Sequence, residues 1–230
     1  MNVHSITSSI SIPAGNVELV GDLTLPPRTE GIVLFVHGSG SSRHSSRNKY
    51  VARVLQEAGI GTLLFDLLTE EEEAVDLQTR HLRFDIGLLA ERLMLVTQWV
   101  MHAPQTGNLR IGYFGASTGG GAALVAAAAL GSQVSAVVSR GGRPDLAGEA
   151  LGRVETPTLL IVGGWDGPVI DMNRDAYAQL GCEKVLEIIP AASHLFEEPG
   201  KLEEVAKLSA LWFSRYLKKP ADSGQVEHRP

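Results

Sequence analysis

The sequence predicts an α/β fold, in which a mostly parallel central sheet carries helices on both faces and begins with an antiparallel hairpin. Three observations predict it. Apolar runs rich in β-branched residues alternate along the chain with segments of helical spacing. Several of these runs are apolar throughout, which is typical of strands covered on both faces. The first two runs instead alternate apolar and polar residues and are joined by turn residues.

The length and composition fit one domain. The chain has 230 residues, of which 44% are hydrophobic, and a chain of this length can bury a single substantial core. We assign residues 1–219 to one α/β domain and expect the polar residues 220–230 to form a flexible tail. The formal net charge of −6 disfavours nucleic acid or an anionic membrane as a partner.

Cysteine usage and the N-terminus predict a cytoplasmic protein. The single cysteine, Cys182, cannot form an internal disulfide, and residues 1–15 lack the charged start and apolar core of a signal peptide. The longest run of small apolar residues, 122–130, is too short to cross a bilayer. We therefore expect a soluble protein in a reducing compartment.

The first third of the chain predicts the hairpin and then a strand, a loop and a helix. Residues 6–12 and Val17–Leu25 form the hairpin, with turn residues at 13–16. Gly31–Val36 is apolar throughout and predicts a central strand. Apolar residues at helical spacing over 50–58 then predict a helix that is closed by Gly59.

The next segment contains a short strand, an acidic stretch and a long helix. Residues 62–65 predict a buried strand, and residues 66–76 predict an acidic connection. We interpret the four glutamates at 70–73 as a solvated face, since the alternative, a metal site, lacks further spaced ligands. Apolar residues at steps of three and four over 82–100 predict an amphipathic helix that stops near Pro104.

The stretch around Ser117 carries the first sign of chemistry. An apolar run over 109–114 leads into the G-x-S-x-G pattern of Gly115, Ser117 and Gly119, which passes directly into small helix-forming residues. This context predicts a sharp turn from strand to helix that exposes a serine hydroxyl, with glycines where neighbouring backbone approaches closely. Ser117 is therefore the candidate nucleophile.

Three further strands and a C-terminal helix complete the prediction. The strands cover residues 134–138, 158–162 and 185–189. The helix buries Val205, Leu208, Trp212 and Tyr216 and stops at Pro220. In a parallel sheet of this kind, ligands bind at the carboxyl ends of the strands.

A serine nucleophile needs a base and a carboxylate that orients the base. Asp166 follows the strand over 158–162, and His194 follows the next strand, so both are predicted at the same sheet edge as Ser117. Taken singly, Asp166 could shape a turn before Gly167 and Pro168, and His194 could cap the last helix. Together with Ser117 they predict a catalytic triad. Four other histidines fit less well, because they lie near the termini or the long helix (His4, His81, His102 and His228).

Acyl transfer also needs hydrogen-bond donors for the oxyanion of its intermediate. We predict two backbone amides, those of Thr118, after the nucleophile, and of Ser39, in the loop after the Gly31–Val36 strand. A phosphate-binding loop is the alternative for residues 37–40, but the segment lacks the lysine and the glycine spacing of such a loop.

Five segments carry a resemblance to a known family: HGSGSSRHS from His37, GASTGGGAAL from Gly115, SRGGRPDLAG from Ser139, GGWDGPV from Gly163 and ASHLFEEPG from Ala192. The chain resembles the α/β-hydrolase superfamily and, within it, the branch of small lidless enzymes similar to dienelactone hydrolase. The order Ser117, Asp166, His194 is the one found on that fold. The resemblance implies an α/β-hydrolase fold without a lid domain. Dienelactone hydrolases proper carry cysteine at the nucleophile position, so serine here favours ordinary ester hydrolysis.

The expected function is that of a serine carboxylesterase on small or short-chain esters, with no metal and no organic cofactor. The connection from 138 to 157 is too short for a lid, which predicts an open, shallow site. Arg140 and Trp165 are candidate substrate-binding residues. The resemblance suggests that Arg140 or Arg143 orients an anionic substrate. The alternative for these arginines is a salt bridge with Asp145 or a neighbour. Arg43 borders the oxyanion loop.

Two other functions stay open. The same triad could serve an acyltransferase, a perhydrolase or a lactone hydrolase, in which the acceptor or the ester differs. A non-catalytic binding protein could keep the hydrolase fold, although such a protein has no need of an intact serine, aspartate and histidine. The sequence leaves the oligomeric state undetermined.

Overall fold

The computed structural model describes residues 6–218, so that His4, His228 and the predicted tail lie outside the described residues. Eight strands form one sheet in the order β1-β2-β4-β3-β5-β6-β7-β8. They are β1 Ile6–Ala14, β2 Val17–Leu25, β3 Gly31–Val36, β4 Gly61–Phe65, β5 Arg110–Ala116, β6 Val134–Arg140, β7 Thr158–Gly163 and β8 Lys184–Ile189. The pairs β1–β2 and β2–β4 are antiparallel and all others are parallel. The predicted α/β fold with an N-terminal hairpin is confirmed.

Helices cover both faces of the sheet. They are α1 Ser46–Glu57, α2 Glu70–Thr79, α3 Ile86–His102, α4 Thr118–Leu130, α5 Gly167–Gln179 and α6 Lys201–Leu217. On one face Phe35 and Val138 pack with α1 and α6, and on the other Leu34 and Tyr113 pack with α3 and α4. Because side chains of a strand alternate between faces, central strands buried on both faces are apolar at every position.

The acidic segment differs from its prediction. It folds into α2, because Thr69 forms a capping box in which its hydroxyl accepts from the Glu72 amide and the Glu72 carboxylate accepts from the Thr69 amide. Glu70 and Glu71 are exposed as expected, whereas Glu72 also accepts a hydrogen bond of 2.8 Å from Arg92. Asp76, at the other end of α2, is fully buried. The solvated face is therefore only part of this helix.

The long helix begins later than its apolar spacing suggested. Leu82 lies in a separate 3₁₀ turn, Leu82–Phe84, and α3 starts at Ile86. Asp85 separates the two, because its carboxylate accepts from the Leu88 amide at 3.0 Å and so caps α3. Apolar spacing alone could not locate this boundary, since Leu82 still packs against the same core.

Short connections leave the carboxyl edge of the sheet without a lid domain. Between β6 and β7 the chain forms only a 3₁₀ segment, Pro144–Arg153, which contacts α4. Helix α5 follows β7 after only three residues, with Pro168 in its first turn, where a missing amide hydrogen costs little. Within residues 6–218, no helix combines the length and the apolar character needed to cross a membrane.

Candidate active site

Ser117 occupies the turn between β5 and α4 in a backbone conformation that L-residues rarely adopt. Its φ is 51° and its ψ is −123°, which costs about 1–3 kcal/mol for a residue with a side chain. Three backbone hydrogen bonds hold it: the Ser117 amide donates to the Arg140 carbonyl at 3.2 Å, and the Ser117 carbonyl accepts from Gly120 and Arg143, both at 2.9 Å. The surrounding structure therefore imposes the turn that the G-x-S-x-G pattern predicted.

Gly119, two residues after Ser117, is required by a close approach of backbone. A Cβ atom built on Gly119 would lie 2.1 Å from the Val36 carbonyl oxygen and 2.6 Å from that of His37. Such contacts are far inside van der Waals distance, so only glycine lets α4 begin this close to the end of β3. The same approach brings the loop after β3 beside Ser117, since a Cβ on Gly38 would be 3.0 Å from the Ser117 Cβ.

Asp166 and His194 form a hydrogen-bonded pair at the same edge. The Nδ1 of His194 donates to Asp166 Oδ2 at 2.6 Å, and the carboxylate is mostly buried while the imidazole is more open. A carboxylate on Nδ1 leaves Nε2 as the available base. Asp166 stands at the start of α5, but its side chain makes no capping hydrogen bond to that helix, and the cap position of α6 belongs to Gly200 and not to His194.

Ser117 and His194 reach this edge from different elements that meet at the end of β6. The Arg140 carbonyl accepts a hydrogen bond from the Ser117 amide. The next residue, Gly141, lies against the His194 imidazole, since a Cβ built on Gly141 would be 3.4 Å from His194 Nδ1. Within the described residues, no hydrogen bond joins the Ser117 hydroxyl to His194. Such contacts often tighten only when substrate binds.

The two predicted oxyanion residues contact each other. The Ser39 amide donates to the Thr118 hydroxyl Oγ1 at 2.8 Å, across 79 positions of sequence. Thr118 is buried, with 2% of its surface exposed, whereas Ser39 is exposed. The Ser39 amide is therefore already hydrogen-bonded in this structure, a contact that the sequence did not predict.

His37 is a structural residue of the same loop, which sequence reasoning did not single out. Its Nε2 accepts from the Leu67 amide at 3.1 Å, which assigns the proton to Nδ1, and Nδ1 lies 3.0 Å from the Gly38 carbonyl. Burial lowers the pKa of His37, more than its hydrogen bond to Gly38 and the charges of Asp66 and Glu73 raise it. A neutral His37 thus ties the loop after β3 to the loop after β4.

The basic residues near the site have different partners. Arg143 forms a bidentate pair with Asp145, at 2.8 and 2.7 Å, so the salt-bridge alternative holds for this residue. Arg43 pairs with Asp66. Arg140 is buried and has no such partner among the described residues, and Trp165 is 67% exposed beside Asp166.

A cavity of about 630 Å³ lies between the loop after β3 and helix α2. Its wall combines polar and acidic side chains with a few apolar ones, and it contains none of the three triad candidates. Its lining includes His37, His44, Asp66, Leu68, Glu73 and Leu77. Within residues 6–218, no cluster of three histidine, cysteine or acidic side chains is arranged to hold a metal ion.

No family model matches the chain. A crystal structure of dienelactone hydrolase from Anabaena variabilis is 63% identical, with a TM-score of 0.92, and the match covers 93% of this chain and 99% of that one. Est1E from Butyrivibrio proteoclasticus shares the fold, at 16% identity and a TM-score of 0.75, over 90% of this chain and 98% of that one.

A curated relative from Mycobacterium tuberculosis strain H37Rv carries the name "Putative phosphoribosyl transferase Rv0571c". It is 57% identical over 215 residues, which are 94% of this chain and 48% of the relative. The chain therefore spans about half the length of the curated relatives that it matches. The solved structure at 63% identity, in contrast, matches over nearly its whole length. By this match and by its fold, the chain belongs to the dienelactone hydrolase family of α/β-hydrolases.

Proposed function

We propose that this protein is a serine hydrolase of the carboxylesterase type, acting on small esters through an acyl-enzyme. The observation that carries the proposal is the hydrogen-bonded pair of Asp166 and His194, 2.6 Å apart, at the sheet edge where Ser117 is held in its strained turn. Pairing of a histidine with a buried carboxylate fixes the tautomer that a general base needs. Membership of a hydrolase family supports the proposal independently.

The chemistry follows from these three residues. Ser117 Oγ attacks the ester carbonyl carbon while His194 Nε2 accepts the hydroxyl proton, and Asp166 stabilises the resulting imidazolium. The imidazolium then donates its proton to the departing alcohol, which leaves an acyl group on Ser117. Water, deprotonated by His194, attacks the acyl carbon, and collapse of that intermediate releases the acid and returns the proton to Ser117.

The oxyanion of each tetrahedral intermediate would be held by the amides of Thr118 and Ser39. The amide of Thr118 lies at the N-terminus of α4, where the first-turn amides lack partners within the helix. The Ser39 amide, bonded to the Thr118 hydroxyl at rest, would share that hydrogen bond with the oxyanion. We therefore assign the Thr118 side chain the task of orienting the Ser39 peptide.

The proposed preference for small esters follows from the open carboxyl edge of the sheet. The 3₁₀ segment between β6 and β7 adds no lid, so little apolar wall is present to bury a long acyl chain. Trp165, exposed beside Asp166, and Arg140 are the proposed substrate-binding residues.

Acyl transfer to another acceptor, perhydrolysis and lactone hydrolysis use the same steps and are separated by product analysis with competing acceptors. The cytoplasmic location remains part of the proposal.

The transferase name of the curated relatives does not change this assignment. About half of their length lies outside the match, so the activity in that name need not reside in the matched half. This chain itself carries the serine turn and the aspartate–histidine pair, which suit acyl transfer. A non-catalytic role is the alternative from another class.

The test replaces Ser117 by alanine. We expect Ser117→Ala to lose hydrolysis of p-nitrophenyl acetate and labelling by a fluorophosphonate, with the thermal unfolding midpoint essentially retained. Ser132→Ala is the matched control, because Ser132 is an exposed serine at the opposite end of α4, and it should behave as wild type. Turnover that survives in Ser117→Ala would show that Ser117 is not the nucleophile; a wild-type protein that neither reacts with the probe nor cleaves esters would favour the non-catalytic alternative.

A further inference from the structure

Asn173 is a fully buried asparagine that joins helix α5 to residues 140–143 at the end of β6. Its Nδ2 donates to the Gly142 carbonyl at 3.0 Å and to the Val169 carbonyl, one turn earlier on α5, at 2.8 Å. Both partners are carbonyl oxygens, so only the nitrogen of the side-chain amide can occupy this position. A buried side chain of one element thus holds the backbone of another.

The segment that Asn173 holds fixes the backbone of the nucleophile turn. The Arg140 carbonyl accepts from the Ser117 amide at 3.2 Å, and the Arg143 amide donates to the Ser117 carbonyl at 2.9 Å. Gly142 lies between these two contacts and is itself buried. A shift of Gly142 would therefore disturb two of the backbone hydrogen bonds that hold Ser117 in its strained conformation.

The same segment lies against the base. A Cβ built on Gly141 would be 3.4 Å from both Nδ1 and Cε1 of the His194 ring. Asp166, the partner of His194, stands at the start of α5, seven residues before Asn173. Seven residues are about two helical turns, so the two side chains leave α5 on nearly the same side. This side of α5 therefore contacts the base through Asp166 and the support of the nucleophile turn through Asn173.

Stability alone does not account for an asparagine at this position. Its Oδ1 is buried and makes no hydrogen bond with any residue of the described chain, and an unsatisfied buried acceptor is destabilising. The bond to Val169 does not require asparagine, because the hydroxyls of Thr97 and Ser209 make the same bond four residues back in other helices. The bond to Gly142 is the one that needs the reach of a side-chain amide.

We propose that Asn173 is a positioning residue, which fixes Gly142 and, through residues 140–143, holds Ser117 at the distance and angle from His194 that proton transfer requires. The inference rests on the proposed function, since it concerns the same triad. Asn173 acts through backbone, because both of its hydrogen bonds go to main-chain carbonyls. A misplacement of about 1 Å at a reacting group can lower the rate about 10²-fold.

The kinetic experiment compares Asn173→Leu with wild type in hydrolysis of p-nitrophenyl acetate, well below the unfolding midpoint. Reactive sites are counted by complete labelling with a fluorophosphonate. We expect every site to label, but more slowly than in wild type, and kcat per reactive site to fall about 10- to 100-fold. The midpoint should change by no more than about 4 °C, because removal of the unsatisfied Oδ1 offsets the lost bond to Gly142. Fewer reactive sites, each with the wild-type rate, would indicate a merely structural role and overturn the proposal.

Two further variants are controls. Asn173→Ser keeps a donor for the Val169 carbonyl but cannot reach Gly142, so its kcat should fall as in Asn173→Leu; it also replaces that variant if the leucine protein does not fold. Thr106→Val removes a different buried hydrogen bond, from the Thr106 hydroxyl to the Val100 carbonyl at 2.7 Å. Thr106 lies between α3 and β5, at the opposite edge of the sheet, and this variant should keep the wild-type kcat.

Amide hydrogen exchange tests the same geometry without catalysis. The amides of Ser117 and Arg143 are both hydrogen-bonded, and in Asn173→Leu they should exchange about threefold faster or more, while the amides of α3 exchange as in wild type. Wild-type exchange at these two amides, or a wild-type kcat per reactive site, would overturn the proposal. If wild type cleaves no ester, the proposed function is contradicted, and exchange alone then decides whether Asn173 fixes the turn.

Discussion

The contact between the Ser39 amide and the Thr118 hydroxyl gives the sharpest prediction for catalysis. Replacing Thr118 by valine keeps the branched shape of the side chain and removes only its hydrogen-bonding capacity. The Ser39 peptide then loses the acceptor that fixes its orientation 2.8 Å away. We expect kcat/KM for a short ester to fall while the fold is retained.

The size of the effect follows from where the two partners lie. A neutral hydrogen bond contributes about 0.5–1.5 kcal/mol to stability, and because Ser39 is exposed, water can replace the lost partner. The unfolding midpoint should therefore fall by no more than ~4 °C. An oxyanion donor contributes about 10²–10³ in rate, and a donor that is misoriented rather than removed should lose part of this, about 10- to 100-fold.

The assay is steady-state hydrolysis of p-nitrophenyl acetate, with thermal unfolding measured on the same samples. Thr118→Ser keeps the hydroxyl and is the matched control, with expected kinetics close to wild type. If Thr118→Val hydrolyses the ester at the wild-type rate, or if the serine variant is as impaired as the valine variant, the hydroxyl does not orient the Ser39 peptide.

Two predictions concern stability. Burial alone would raise the pKa of Asp76, but hydrogen bonds from Arg83 and the Leu82 amide hold that pKa below its ordinary value. The ionised Asp76 carboxylate therefore stabilises the fold fully above the ordinary pKa near 4. This stabilisation is lost as the pH falls through the lowered pKa of the folded protein. Asp76→Asn should destabilise the fold by about 3–5 kcal/mol at pH 7, which would appear as a lower unfolding midpoint. The difference in midpoint from wild type should be smaller in acid. An equal difference at both pH values would contradict the stabilising role of the ionised carboxylate. Gly119→Ala should lower the unfolding midpoint by several degrees, because the added Cβ would meet the Val36 carbonyl oxygen at 2.1 Å. Gly152→Ala is the control, since a Cβ there would meet no atom within 4 Å, and it should change the midpoint little. Similar midpoints for the two variants would refute the packing argument.

Much of the fold was predictable because it depends on local patterns. The apolar runs located the strands to within one or two residues, and the alternation in Val17–Leu25 predicted the hairpin. The acidic helix α2 was missed because a run of glutamates has no apolar stripe, and its signal lies instead in the capping box of Thr69 and Glu72. The start of α3 was misplaced for a similar reason, since a cap, not apolar spacing, sets it.

The candidate site was predictable in its members but not in its contacts. Strand order along the chain brings Ser117, Asp166 and His194 to one edge, and the structure adds the 2.6 Å bond between the last two. There was only weak evidence in the sequence for the structural role of His37, namely its position between a buried strand and a glycine. Its partner, the Leu67 amide, lies 30 residues away, and no periodicity connects the two.

The sequence by itself determined the α/β fold, the serine turn and the order of the triad candidates, because each depends on residue type and spacing along one element. The tertiary structure decided which groups have partners. Arg143 pairs with Asp145 while Arg140 stays unpaired, and the Ser39 amide meets the hydroxyl of Thr118. Arg140 is buried at the end of β6, and burial, unlike residue type, is fixed only when elements from distant parts of the chain pack together.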